Sequence, residues 1–375
     1  MTAHSFLLLR GFRGTSDPFA LRVTQVAEGN LRGDRVLYHV RLARRPALRF
    51  AESFGLPVDV SESPDEEQLR RAKFVVTDEF PTLPTPPHAT HLVDSNGVLP
   101  MRAFAKEQYS AKFFRDRAFK LFEQLWVDCE PAEVSLDFLN GYAEMHNKSP
   151  RYVSGLSPAI HRGEIGTREL VEAVLRSDAD DEDVEAFLEQ LIIRRELSFN
   201  LCFYNPRHAS LDALPDWAKK TLDAHRGDRR KPAYLFEELE AAATHDEVWN
   251  LSQRQLVACG TIHGYLRMLW GKKIIEWSET PEAAHAAMVK LHEKYAHDAL
   301  DPNTHAGILW CFGKHDRPWA PERPIFGTIR WMSSAQTAKK VRLGEIEALV
   351  ARAQPAVERA HGAESQDAFP WPARP

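Results

Sequence analysis

Along the first hundred residues, apolar and β-branched positions come in short runs separated by loop chemistry. Residues Val36–Val40, 74–77 and 91–94 have strand length and are bounded by polar, glycine or proline signals. A helical pattern at 47–54 and an acidic stretch at 61–67 lie between the first two runs. Strand, helix, strand predicts a small α/β layer with parallel strands. Pro81, Pro84, Pro86 and Pro87 then forbid regular structure after the second run.

From about residue 102 the apolar period changes to that of helices. Candidates are 104–126, 167–176, 181–198, 232–243, 252–277, 281–296 and 341–361, with strand signals almost absent. Asp181 and Asp183 suit a helix start, where unpaired N–H groups favour acidic side chains. Pro370, Pro372 and Pro375 predict a frayed end. The expected organisation is α/β plus all-α: a shortened layer over 1–100, a connecting helical region over 101–140, a large helical domain over 141–355 and a frayed tail over 356–375.

Composition narrows the function classes. The 375 residues are 43% hydrophobic and 27% charged, with a formal net charge of −5. That excludes a disordered chain, and it argues against coating nucleic acid by bulk charge while leaving room for a local basic groove. Cys129, Cys202, Cys259 and Cys311 form no CxxC pair and are read as reduced, mostly buried thiols of a cytoplasmic protein. The apolar run 6–9 is too short for a signal-peptide core, and no run approaches the roughly 20 residues of a membrane span.

The common catalytic motifs are absent: no GxGxxG, no GxxxxGK[ST] and no GxSxG occurs. His292, Glu293 and His297 look like HExxH, but histidines five apart do not share a helical face, so no metal site is expected. One segment stands out. His263, Arg267, Trp270, Ile274 and Trp277 follow i, i+4, i+7, i+11, i+14 and share one helical face. Spacing alone favours a packed core face; the alternative is an electron-hopping ladder beside a redox cofactor.

Two signature regions resemble the class II cyclobutane pyrimidine dimer photolyases of the photolyase/cryptochrome family. The first is FLEQLIIRRELSFN at 187–200, followed by CFYNP at 202–206. The second is GKHDRPWAPERPIFGTIR at 313–330. Trp249-Asn250, the 263–277 segment and DALDPN at 298–303 follow the family order between them, and VTD at 76–78 and VDSN at 93–96 are weaker echoes.

The resemblance implies a helical domain holding FAD in a U-shaped conformation beneath a DNA-facing cavity. It implies cofactor contacts from Asn147, Ser154, Leu156, Ser157, Arg195, Asn200, Arg267, His292, Asp298 and Asp301, with Arg267 and Asp298 paired beside the isoalloxazine ring. Trp249, Trp270 and Trp277 fall on the electron-transfer positions. Gln190, Met268, His292 and Trp310 fall on catalytic ones, Met268 and Trp310 also lining the lesion pocket. His146, Arg194, Trp310, Asp316 and Trp319 are implied at the DNA side. Arg194, Arg195, His225, Arg226, Arg229, Arg230, Lys231, Lys272 and Lys273 are candidate phosphate contacts, with solvated surface charge the better reading of Arg229, Arg230 and Lys231.

The departures from the family pattern are informative. Gln190 stands where a second glutamate is expected, His292 where an asparagine is expected near flavin N5, and His146 where an arginine enters the DNA bubble. Glutamine cannot hold a carboxylate's proton role, and a histidine can carry charge near neutral pH. The shortened α/β layer leads to the expectation of no antenna chromophore. Light-driven repair of pyrimidine dimers in damaged DNA ranks first. A repurposed flavoenzyme acting on a small molecule and a cryptochrome-like sensor remain as alternatives, and no membrane partner is expected.

Overall fold

The computed structural model describes the strands β1 (His4–Leu9), β2 (Val36–Val40), β3 (Ala72–Asp78) and β4 (His91–Val93), residues 79–82, 94, 96–161 and 163–363. The expected helix at 47–54, the acidic stretch, Pro84, Pro86, Pro87 and the chain after 363 lie outside the described residues. The four strands pair in parallel in the order β2-β1-β3-β4. β1 is an inner strand that the sequence pattern did not mark, because its three leucines follow one another instead of alternating with polar residues.

Ten helices of eight residues or more follow among the described residues. They are α1 (Ala111–Leu125), α2 (Thr167–Leu175), α3 (Asp181–Leu188), α4 (Arg195–Tyr204) and α5 (Asp216–Ala224). The rest are α6 (Glu247–Cys259), α7 (Gly264–Trp277), α8 (Pro281–Tyr295), α9 (Pro302–Cys311) and α10 (Leu343–Ala363).

Three expectations need correction. The continuous helix at 252–277 is two helices, because Gly260 takes φ 65 at the end of α6. A side chain there would meet the His297 ring at 2.4 Å, and the Gly260 carbonyl accepts the His297 N–H at 2.9 Å. The segment 181–198 is interrupted by a π turn over Glu189–Arg194 before α4 continues it to Tyr204. At 232–243 only Phe236–Glu240 is helical. The helix expected at 341–361 is α10, which ends at Ala363.

Two apolar clusters organise the helical part. The first joins Phe114, Ala118, Leu170, Val174, Phe187 and Leu197 from α1 to α4. The second joins Trp249, Trp270, Trp277, Leu291, Leu309 and Phe312 from α6 to α9 and its C-terminal end. Burying side chains of this size contributes about 1.5–3 kcal/mol each relative to exposure. Between the clusters a cavity remains, walled by Tyr142, Ile160, Phe187 and Leu191 of the first and Leu256 and Ile262 of the second.

Candidate cofactor cavity

The cavity holds about 430 Å³. Its rim is the loop Ser154-Gly155-Leu156-Ser157, turned by Gly155 at φ 65. The π turn and the start of α4 contribute Gln190, Arg194 and Arg195, the first exposed and the last buried. A π turn widens the helix by one residue per turn and often marks functional sites. Here it directs Gln190 to the cavity while the neighbouring Glu189 carboxylate takes two hydrogen bonds from Arg115, at 2.5 and 2.9 Å. The N-terminal turn of α7 supplies His263 and Arg267, the end of α8 supplies His292, and Asp298, Asp301 and Asn303 close the far wall.

The polar groups of this wall fall into two kinds. Some are engaged by protein. The Asp301 carboxylate accepts the Asn303 N–H at 3.0 Å, capping α9, and faces His161 Nδ1 at 3.2 Å. Arg195 Nη1 donates to the Asn96 carbonyl at 2.7 Å, and its guanidinium lies over the Phe199 ring at 4.2 Å. Others are open. Asp298 is 8% exposed, yet no described side chain bonds its carboxylate, and Arg267 likewise has no ion pair. The expected Arg267–Asp298 pair is therefore not formed; both charges face the cavity separately.

His292 is 4% exposed, and its Nδ1 lies 3.0 Å from the Met288 carbonyl. A carbonyl only accepts, so Nδ1 carries the hydrogen and Nε2 keeps a lone pair. Burial, the largest cause, lowers its pKa to about 4, helped by Arg267 and opposed by the Met288 carbonyl and Asp298. The expectation of a histidine that supplies a proton near neutral pH is thus corrected: the imidazole is neutral. Burial also lowers His263 to about 4, and neither of its ring nitrogens finds a hydrogen-bond partner. The phenol of Tyr142, on the same wall, is pushed up by burial.

Behind His292 the tryptophans are in contact. Trp270 meets the His292 ring edge-on at 5.0 Å, and Trp249 meets Trp277 at 5.4 Å. Trp249 Nε1–H donates to the Trp270 carbonyl at 3.0 Å, and Trp270 Nε1–H to Gln253 Oε1 at 2.9 Å. Tyr234, unmarked by the sequence reading, packs on Trp277 at 5.3 Å and carries the aromatic chain toward the surface. The core-packing reading of the 263–277 face holds for the indoles, which are buried and run from the cavity wall outward.

Several expected site residues lie elsewhere. Asn200 is buried away from the cavity, its amide accepting the Gln108 N–H at 2.7 Å. His146 stacks on Tyr142 at 4.5 Å and pairs with Asn147 at 2.7 Å, behind the wall and not on it. Met268 packs against the second apolar cluster. Trp310 adjoins the cavity through Arg194, whose guanidinium lies 5.3 Å from its ring. Of the candidate phosphate contacts, Lys272 is buried on the Cys311 carbonyl, Lys273 is held by Glu276, and Arg226 by Glu282 and Asp223.

Asp316 accepts the Trp319 Nε1–H at 3.2 Å and so fixes Trp319 beside a second cavity of about 250 Å³. Arg317 and Arg330 flank the Trp319 ring at 5.0 and 4.9 Å, Arg323 covers Trp331 at 3.9 Å and Lys340 covers Tyr265 at 4.0 Å. Arg317, Arg323, Arg330 and Trp331 were missed as site residues, although arginine interleaved with tryptophan over 317–331 is a legible signal of a stacking and phosphate-binding surface. No cluster of three or more metal-ligating side chains occurs among the described residues, and no described helix is long and apolar enough to cross a membrane.

Comparison with known proteins completes the picture. The chain is 36% identical over 309 residues to the deoxyribodipyrimidine photo-lyase of Oryza sativa subsp. japonica, covering 67% of this chain and 61% of that protein. It is 32% identical over 332 residues to the Arabidopsis thaliana photo-lyase, covering 73% and 66%. With the Methanothermobacter thermautotrophicus photo-lyase it shares 46% over 193 residues, 52% of this chain and 42% of that one. The chain thus spans less than two thirds of the length of these relatives. No family model matches it. Among solved structures, Synechocystis sp. PCC6803 cryptochrome superposes with TM-score 0.63 at 10% identity, covering 90% of this chain and 86% of that one. The Sulfolobus tokodaii photolyase gives 0.56 at 14%, covering 90% and 87%. The chain belongs to the photolyase/cryptochrome family.

Proposed function

We propose that the chain is a light-driven flavoprotein that binds FAD in the cavity between the two apolar clusters and passes an electron to a pyrimidine dimer in DNA. The observation that carries this reading is the set of unpartnered polar groups on one wall: Asp298, Arg267 and His292 Nε2. These groups line the cavity and no described side chain bonds them, so they are free to take a ligand. FAD has matching chemistry, with ring N–H and carbonyl groups for Asp298, His292 and Arg267, and phosphates for the Ser154–Ser157 rim. When bound, it supplies one-electron chemistry. The Sulfolobus tokodaii photolyase is seen with two FAD molecules, which supports the cofactor.

The residues of this chain would bind and orient that group, and the Trp270, Trp249 and Trp277 relay would resupply its electrons. The arginine–tryptophan surface around Trp319 and Trp331 would hold the DNA backbone. The parallel strands β1–β4 support a reduced Rossmann-like layer over 1–100, and FAD is proposed as the one chromophore. The test is an absorbance spectrum and cofactor extraction of the purified protein, then incubation with dimer-containing oligonucleotide in light and dark. Stoichiometric FAD with light-dependent repair supports the reading, and no FAD would sink it. FAD without repair would favour the small-molecule flavoenzyme, to which the uncharged Gln190 and His292 also point.

A further inference from the structure

Resting on that reading of the cavity, we infer that His292 is a fixed hydrogen-bond acceptor that favours reduced over oxidised flavin, by taking a ring N–H that only the reduced form carries. The geometry is local. His292 lies in the last turn of α8, one turn after Met288, and its Nδ1–H is committed to the Met288 carbonyl at 3.0 Å. The second edge of the ring therefore offers a lone pair, and no described protein group meets it. Trp270 holds the ring from the side at 5.0 Å and an interplanar angle of 84°. Turning the imidazole over would break the Met288 bond. The charged groups facing it, Arg267 from α7 and Asp298 from the following loop, act in opposite directions on its proton, and burial keeps it neutral.

The ligand chemistry then selects a redox state. Oxidised isoalloxazine presents lone pairs at N1 and N5 and a single ring N–H at N3. Uptake of two electrons and two protons places hydrogens at N5 and N1, so N5 changes from acceptor to donor. A fixed lone pair opposite oxidised N5 is two acceptors in contact; opposite reduced N5 it is a hydrogen bond. An asparagine in the same place could turn its amide and serve either state, because it carries both a donor and an acceptor. His292 cannot. The substitution that departs from the family pattern therefore narrows the cavity's preference.

The experiment is a spectroelectrochemical titration of FAD-loaded protein, with dithionite as electron donor, comparing wild type, His292→Leu and His292→Asn. Loss of one hydrogen bond, about 1.4 kcal/mol or tenfold, should lower the ratio of reduced to oxidised affinity about tenfold in His292→Leu. For a two-electron couple that is a fall in midpoint potential of about 30 mV. His292→Asn should lie between the two. An unchanged potential in His292→Leu would overturn the inference. So would an equal loss of affinity for both redox states, which would mean that the lone pair meets N3–H. If His292→Leu does not fold, ¹⁵N-histidine spectra of the wild type decide: the unprotonated Nε2 resonance must move upfield on reduction, and a stationary resonance overturns the claim. Failure of the flavin reading itself is separately visible, as wild-type protein that retains no FAD.

Discussion

Buried charge is treated in opposite ways in two parts of the molecule. Among the described residues, several buried charged side chains are met by the chain itself. The Asp183 carboxylate accepts the N–H groups of Gly141 and Ala143 at 2.6 and 2.8 Å. Lys314 is held by Glu107 and the Ala213 carbonyl at 2.5 and 2.6 Å. On the cavity wall, the Asp298 carboxylate at comparable burial, the half-buried Arg267 guanidinium and the neutral His292 Nε2 meet no described protein partner. The fold can satisfy such groups and does so where they pin segments together. Where it leaves them open, the partner has to come from outside the chain.

Acid should expose this difference most strongly. His263, His292 and His315 each have a folded pKa lowered from 6.5 to about 4, burial being the largest cause. With the folded value depressed, the unfolded chain takes up protons first as the pH falls. The stability is complete above pH 6.5 and is lost progressively down to pH 4, by at most about 3 kcal/mol per histidine. Urea denaturation at pH 7 and pH 5 should show a fall, and His292→Leu should reduce its slope. A flat profile between those values would show the imidazoles to be less buried than described.

Next in size is Asp183→Ala. Two half-buried backbone N–H groups lose their acceptor, so unfolding free energy should fall by about 2 kcal/mol. Flavin affinity should stay unchanged, since Asp183 belongs to the satisfied side. Gly260→Ala should cost about 2 kcal/mol, through φ 65 and the 2.4 Å approach of the His297 ring. A thermal melt within a degree of wild type would contradict that account of the break between α6 and α7.

How far the sequence revealed this division depends on range. The tryptophan face of α7 was legible because i, i+4, i+7 spacing is a local property of one helix. Strand β2 was legible for the same reason, its bounds being those of one apolar run. The break at Gly260 was not, because a lone glycine inside a helical pattern is tolerated unless something crowds it, and His297 lies on another element. The role of Asn200 was equally hidden: its signature motif is intact, but its amide is taken by the Gln108 N–H, a contact across 92 residues. The neutrality of His292 follows from burial and from a carbonyl one turn away, and composition carries neither fact. Family resemblance located the cavity's residues; only the packing tells which of their polar atoms remain open.

The sharpest probe of the comparison has the smallest effect on stability. Asp298 is as buried as Asp183, so a rule based on burial alone would assign both the same cost on substitution. The open-wall account assigns different costs. Asp298→Asn removes a charge with no described protein bond to lose, so unfolding free energy should stay within about 0.5 kcal/mol of wild type. The same change removes an acceptor from the ligand side, so FAD affinity should fall about tenfold, one charge-assisted hydrogen bond being worth at least about 1.4 kcal/mol. Flavin fluorescence titration and urea denaturation of the flavin-free protein read the two effects separately. A loss of several kcal/mol in the flavin-free protein would mean that Asp298 is held by the chain after all, and the distinction between pinned and open charges would not survive at the residue that states it most clearly.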